Sequence, residues 1–105
     1  MSVISITPQQ AVTMQVAGAL ILDVREPWEA QLAAIEGALH ITMQMLPSSL
    51  DALPRDVALL CLCHHGIRSM HVARFLVGQG FSQIYNITGG TEAWSHSVDT
   101  SLASY

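Results

Sequence analysis

The chain has no lysine. Its only fixed cations are Arg25, Arg55, Arg68 and Arg74, scattered along 105 residues that carry eight carboxylates and a formal charge of −4. Nucleic-acid binding needs a dense basic face to displace counterions, and four dispersed arginines do not make one. The same scarcity argues against a basic helix lying on a membrane surface. Long apolar runs are also missing. The longest, Val57 to Cys63, falls far short of the ~20 residues that cross a bilayer, and Met1 to Ile6 has neither the charged start nor the apolar core of a leader. There are two cysteines, Cys61 and Cys63. They lie too close in sequence for an ordinary disulfide, so a reducing cytoplasm is the expected compartment.

What is present is apolar. Half the residues are hydrophobic and 11% are charged, too greasy for a disordered chain and enough to bury roughly 65% of the unfolded surface without staples. At 105 residues the expectation is a single domain over 1–105. Its core should run from about residue 3 to 96. The chain turns polar and small from Ser95 on, so a loose tail is expected over 97–105.

Short apolar runs alternate with helical patterns, which points to an α/β fold with a central, mostly parallel five-stranded sheet and helices on both faces. Val3 to Ile6 reads as a strand. Thr7 is an N-cap with Pro8 at the first helical position, opening a helix to about Ala17. Ala19 to Asp23 is a strand covered on both sides, with Asp23 at its carboxyl end. Pro27 restarts helix. Ala38 to Thr42 is a third strand, and Leu46 to Leu53 holds a short helix broken or started near Pro47. Val57 to Leu62 is continuously apolar, the expected sheet centre. Beyond it comes a helix whose stripe is Met70, Ala73, Leu76 and Val77, closed by Gly78 and Gly80. Gln83 to Ile87 is the last strand, and Thr91 to Trp94 begins a final helix, for about five helices in all.

In open parallel sheets functional groups gather beyond the carboxyl ends of the strands, and Cys63 and Asp23 both fall there. Cys63 is followed by a short loop, His64-His65-Gly66-Ile67, that leads into a helix N-terminus carrying Arg68 and Ser69. Unpaired backbone N–H groups facing inward from such a loop form an anion nest. Aligned amides, the helix terminus and Arg68 together should draw a thiol below its free pKa of about 8.5 and make Cys63 a nucleophile at neutral pH. Gly66 supplies the positive φ that a loop bending its amides to one point requires.

The loop reads C-x-x-G-x-R-S and resembles the active-site loop of the rhodanese family of sulfurtransferases. Other stretches agree with it. Leu22-Asp23-Val24-Arg25-Glu26 with Trp28-Glu29 is similar to the family's D-V-R-x-x-x-E segment. Glu36-Gly37-Ala38-Leu39-His40-Ile41 is similar to its P-G-A-x-N-I segment, and Thr88-Gly89-Gly90 with Trp94 to its closing G-G-x-x-x-W. The match spans roughly residues 3 to 96, with the motifs in the family's order. Ala33-Ala34 replaces the usual Gly-His, Glu36 the usual proline and His40 the usual asparagine; the reactive loop is intact.

The resemblance implies a rhodanese-like domain and a two-step relay. Cys63 takes the outer sulfur of a donor such as thiosulfate as a persulfide, then passes it to a thiophilic acceptor: cyanide in an assay, a thiol or an acceptor protein in the cell. His64, His65, Gly66, Ile67, Arg68 and Ser69 would bind the small anionic donor, with Asp23 and Arg25 behind them and no metal or other cofactor involved. Arg68 is expected to serve donor binding more than folding. Asp23 and Arg25 read either as lining the pocket mouth or, with Glu29, as an ion-pair or hydrogen-bond network at the strand end, the second being favoured; Cys61 reads as a small core residue, and Trp28 and Trp94 as packing. Cys61, Cys63, His64, His65 and His71 are zinc's ligand types, but ligands packed this tightly do not converge on one tetrahedral centre.

Two other functions compete. A cysteine phosphatase or arsenate reductase also sets a thiolate and an arginine in an anion-binding loop, yet Arg68 falls five residues after Cys63, one residue too few for that pattern. A catalytically silent rhodanese-like docking or sensing module is the other, and the retained cysteine speaks against it.

Overall fold

The computed structural model describes residues 2–105. Thr7 caps the first helix reciprocally: its hydroxyl accepts from Gln10 N at 3.1 Å, while Gln10 Oε1 accepts from Thr7 N at 2.8 Å. That cap ends β1 (Ile4–Ile6) and opens α1 (Pro8–Val16). Then follow β2 (Leu20–Asp23), α2 (Pro27–Leu32), β3 (Leu39–His40), β4 (Leu59–Leu62), α3 (Ile67–Gly78), β5 (Ile84–Ile87) and α4 (Gly90–Ser97). The strands lie in the order β1-β5-β4-β2-β3, and all four pairings are parallel. β4 is central, as its unbroken apolar run implies, and all four of its residues are buried.

Strand alternation splits the core into two layers. Leu22, Leu59, Cys61 and Ile84 face Val72, Ala73 and Leu76 of α3, together with Leu46 and Leu53. Ile21, Leu60, Leu62 and Ile87 face Ala11 of α1 and Trp94 of α4. Helices therefore cover both faces, and both layers end at the carboxyl edge where β2 and β4 lie side by side, Asp23 opposite Leu62.

Several boundaries differ from expectation. β3 pairs only through Leu39–His40, although Ile41 N and Met43 N still donate to Asp23 O and Val24 O, each at 3.0 Å. The Leu46 to Leu53 helix is two single turns of 3₁₀ helix, Leu46–Ser48 and Leu50–Ala52, so the described residues hold four α-helices, not five. The final helix, expected to begin over Thr91 to Trp94, runs from Gly90 to Ser97, with the Ser95 and Ser97 hydroxyls donating to Glu92 O and Ala93 O at 2.7 and 2.8 Å. The expected loose tail folds back: Val98 N and Asp99 N both bond Trp94 O, Leu102 packs on the α1/α4 layer, and Tyr105 reaches the loop after β4. Among the described residues no helix is long and apolar enough to cross a membrane.

Candidate active site

Gly66 sits at φ +93°, the left-handed region, and this turn aims the loop's amides inward. Gly66 N lies 3.1 Å from Cys63 Sγ and Ser69 N lies 3.4 Å from it, both donating to the sulfur. The nest expected from the sequence is therefore formed, and its acceptor is the thiol. Burial acts most strongly on Cys63 and opposes ionisation. The Ser69 side chain and amide, with the Gly66 and His65 amides, outweigh it and hold the thiol below its ordinary value. The Ser69 hydroxyl also meets Asn86 Oδ1 at 2.6 Å, which anchors the residue that lies against the sulfur.

Two elements fix the loop from outside. Asn86, buried in β5, donates from Nδ2 to Gly66 O at 3.0 Å while accepting from Ser69, so one side chain ties both ends of the nest. The N-terminus of α4 holds the loop's carbonyls: Thr91 N bonds Cys63 O at 2.9 Å and Glu92 N bonds His64 O at 3.1 Å. Sequence reasoning missed Asn86. Its signal was a lone amide in the apolar strand Ile84-Tyr85-Asn86-Ile87, where a buried polar group demands partners.

Arg68 is not a free cation. Its guanidinium meets Glu29 bidentately, Nη1 to Oε1 at 2.7 Å and Nη2 to Oε2 at 2.8 Å. The Arg68 bond drives the Glu29 carboxyl down to about 2 against the opposing effect of burial, and Glu29 in turn raises Arg68. Glu29 Oε1 also accepts from Glu26 N at 3.0 Å, and Oε2 from the Tyr105 hydroxyl at 2.9 Å.

Asp23 and Arg25 lie beneath this layer. Both are buried, joined through Nε to Oδ1 at 2.9 Å and Nη2 to Oδ2 at 2.8 Å. Arg25 spends its other N–H groups on Glu29 O, Ala33 O and the Tyr105 hydroxyl, so all five are used and none faces a ligand. His40 Nε2 meets Arg25 O at 2.7 Å.

The remaining loop residues differ in kind. Ile67 points outward, 68% exposed, and offers the loop only its backbone. His64 stacks on Tyr105 and meets His65 at a tilt, both at 3.9 Å between ring centres, and its Nε2 has no hydrogen-bond partner among the described residues. Burial and His65 hold its pKa below the ordinary histidine value, opposed by Glu29 and Glu92, so His64 is mostly neutral at pH 7. Cys61 lies one pleat behind Cys63 on the same face, buried, its thiol pushed up to about 12 chiefly by burial. Trp94 is core, whereas Trp28, expected as packing, is 59% exposed and stands edge-on to Tyr105 at 5.6 Å. Cys63 itself is only 1% exposed: the amides converge as expected, but the thiol is far better covered than the sequence implied.

A thiol held by inward amides at the carboxyl edge of a five-stranded parallel sheet fits the model of the rhodanese-like domain, which matches residues 7–97, and the chain belongs to that family. Among its relatives, the thiosulfate sulfurtransferase GlpE of Stutzerimonas stutzeri is 40% identical over 97 residues, spanning 92% of this chain and 89% of that protein. The thiosulfate sulfurtransferase GlpE of Pseudomonas entomophila is 37% identical over 89 residues, spanning 85% and 82%. Of solved structures, a rhodanese-like domain protein from Staphylococcus aureus superposes with a TM-score of 0.82 at 27% identity, over 97% of this chain and 98% of that one.

Proposed function

We propose that this protein is a thiosulfate sulfurtransferase in which Cys63 is the nucleophile and residues 64–69 form the anion-binding loop. The convergence of the Gly66 and Ser69 amides on Cys63 Sγ carries the reading. The thiolate attacks the outer sulfur of thiosulfate. The sulfur–sulfur bond of the donor breaks, sulfite leaves with the bonding pair, and a Cys63 persulfide remains. An acceptor such as cyanide then attacks the terminal sulfur and leaves as thiocyanate, returning the thiolate with no net change in oxidation level. Through both steps the negative charge stays on sulfur. Amides already aimed at that point stabilise it without reorganising, and losing one such donor typically costs about 3 kcal/mol, or ~100-fold in rate. Arg68 completes the site as an oriented but partly neutralised cation, and Asp23 and Arg25 hold the strand end beneath it. Two free cysteines suit a reducing cytoplasm, and the acceptor in the cell is a thiol or a sulfur-accepting protein.

Incubation with thiosulfate followed by intact-mass measurement tests this. One added sulfur is expected on the native chain and none on Cys63→Ser, with thiocyanate formed when cyanide is supplied. The near-complete cover of Cys63 favours one second reading, a silent docking module. Failure of the native chain to acquire sulfur from any sulfane donor would establish that reading instead. Hydrolysis of an aryl phosphate should be negligible, since the six-residue loop is one residue short for a full tetrahedral oxyanion.

A further inference from the structure

A persulfide places a second sulfur about 2.05 Å beyond Sγ, yet Cys63 exposes 1% of its surface. One residue that reaches this part of the molecule comes from far along the chain. The Tyr105 ring stacks on His64, immediately after Cys63, with planes 15° apart and centres 3.9 Å apart. Its hydroxyl donates to Glu29 Oε2 at 2.9 Å, the oxygen that also holds Arg68 Nη2, and accepts from Arg25 Nη1 at 3.0 Å. Trp28 backs the ring edge-on. Tyr105 therefore bridges the two ends of the reactive loop, His64 directly and Arg68 through Glu29.

Resting on the sulfurtransferase reading, we infer that Tyr105 is a specificity-determining residue that roofs the Cys63 loop and restricts it to slender anionic sulfane donors. The ring is the restricting element. It lies flat on His64 and leaves no second aromatic plane between itself and the loop, so a thiosulfonate bearing an aryl group must displace it, whereas inorganic thiosulfate needs only a small shift. The hydroxyl has the other role, positioning. By bonding Glu29 it helps hold the carboxylate that orients Arg68, and through Arg25 it anchors the roof to the buried base of the site.

The test compares the full chain with Tyr105→Ala and Tyr105→Phe, each checked for an unchanged thermal midpoint. Rates are measured for thiosulfate and for benzenethiosulfonate, and for Cys63 alkylation by iodoacetamide. Because reaction at a covered thiol scales with the fraction of molecules in the open state, Tyr105→Ala should alkylate roughly tenfold faster or more. It should also gain on the aryl donor relative to thiosulfate. Tyr105→Phe keeps the ring, so it should keep the native preference between donors while its KM for thiosulfate rises. An alkylation rate and donor ratio unmoved in Tyr105→Ala would overturn the inference, as would Tyr105→Phe behaving like Tyr105→Ala. If the native protein takes no sulfur from thiosulfate the sulfurtransferase reading fails, and alkylation alone still decides whether Tyr105 covers Cys63.

Discussion

Arg68 and Glu29, 39 residues apart, meet oxygen for nitrogen at 2.7 and 2.8 Å, the carboxylate 4% exposed and the guanidinium 36% exposed. The pair ties α2 to the first turn of α3, next to the Cys63 loop. From sequence, Arg68 served the donor and mattered little to folding; this geometry gives it both tasks. Removing it would leave Glu29 buried with only the Glu26 amide and the Tyr105 hydroxyl as partners. Arg68→Ala should therefore lose about 1–3 kcal/mol of stability, since the cost falls on the partner left unpaired, and should also raise the KM for thiosulfate. Urea denaturation gives the first number and steady-state kinetics the second. A native midpoint in Arg68→Ala would return Arg68 to a purely ligand-binding role.

The same pair predicts acid sensitivity. The folded Glu29 carboxyl titrates at about 2, below the ordinary 4.5. A depressed carboxylate contributes stability that is fully present above its unfolded pKa and is lost as pH falls through its folded one. The contribution, on the order of 2–3 kcal/mol, should thus hold at neutral pH and fade between roughly pH 4.5 and 2. Glu29→Gln should lie below the native protein in thermal midpoint at pH 7, with the gap closing as the pH is lowered through that window. A gap that stays constant down to pH 2 would mean the ion pair has no part in the acid response.

Asn86 makes the thiol's ionisation testable without touching the loop. Asn86→Asp is nearly isosteric. Once ionised, the new carboxylate cannot donate to Gly66 O, and it brings negative charge beside Ser69, whose amide holds the sulfur. Both effects disfavour the thiolate, so the midpoint of the pH dependence of iodoacetamide alkylation should move upward. Each unit of that shift means about tenfold slower reaction at a fixed pH below it. An unmoved midpoint would show that Asn86 only packs.

Much of this site was legible in the chain because its parts are local. A central strand, a glycine at positive φ and a helix N-terminus follow one another in sequence, so the nest could be built from residues 59–69 by backbone rules alone. The Asp23–Arg25 pair was readable for the same reason, the two lying two residues apart, but Glu29, expected with them, gives its carboxylate to Arg68 and only its carbonyl to Arg25. What escaped was non-local. Tyr105 ends a polar, small-residue stretch with no periodicity, and its contacts to His64, Arg25 and Glu29 depend on α4 running to Ser97 and redirecting the chain. Trp28 was read as packing because a domain this small has few other large rings to fill its core, yet on α2 it stands 59% exposed. The 3₁₀ turns were misread because Pro47, at the start of the first, permits either helix.

The last prediction concerns the packing that holds the loop down. Gly90 opens α4 at φ +58°, and a Cβ there would fall on Cys63 O and within 2.5 Å of both the carbonyl carbon and oxygen of His64. These are backbone atoms flanking the reactive sulfur, so no flexible side chain can yield. Gly90→Ala must either break the bonds from Thr91 N to Cys63 O and from Glu92 N to His64 O, or push the loop away from α4. Both outcomes move the amide ring off the thiol. A displacement of about 1 Å at a reacting group is enough to cost ~100-fold in rate, and the added backbone strain costs of order 1–3 kcal/mol in stability. Expected, then, are a lowered thermal midpoint and a collapse of thiosulfate turnover in Gly90→Ala. Gly78→Ala is the internal control, because its new Cβ meets nothing within 4 Å at the end of α3; it should turn over thiosulfate at the native rate. Full activity in Gly90→Ala would mean that α4 does not set the position of the Cys63 loop.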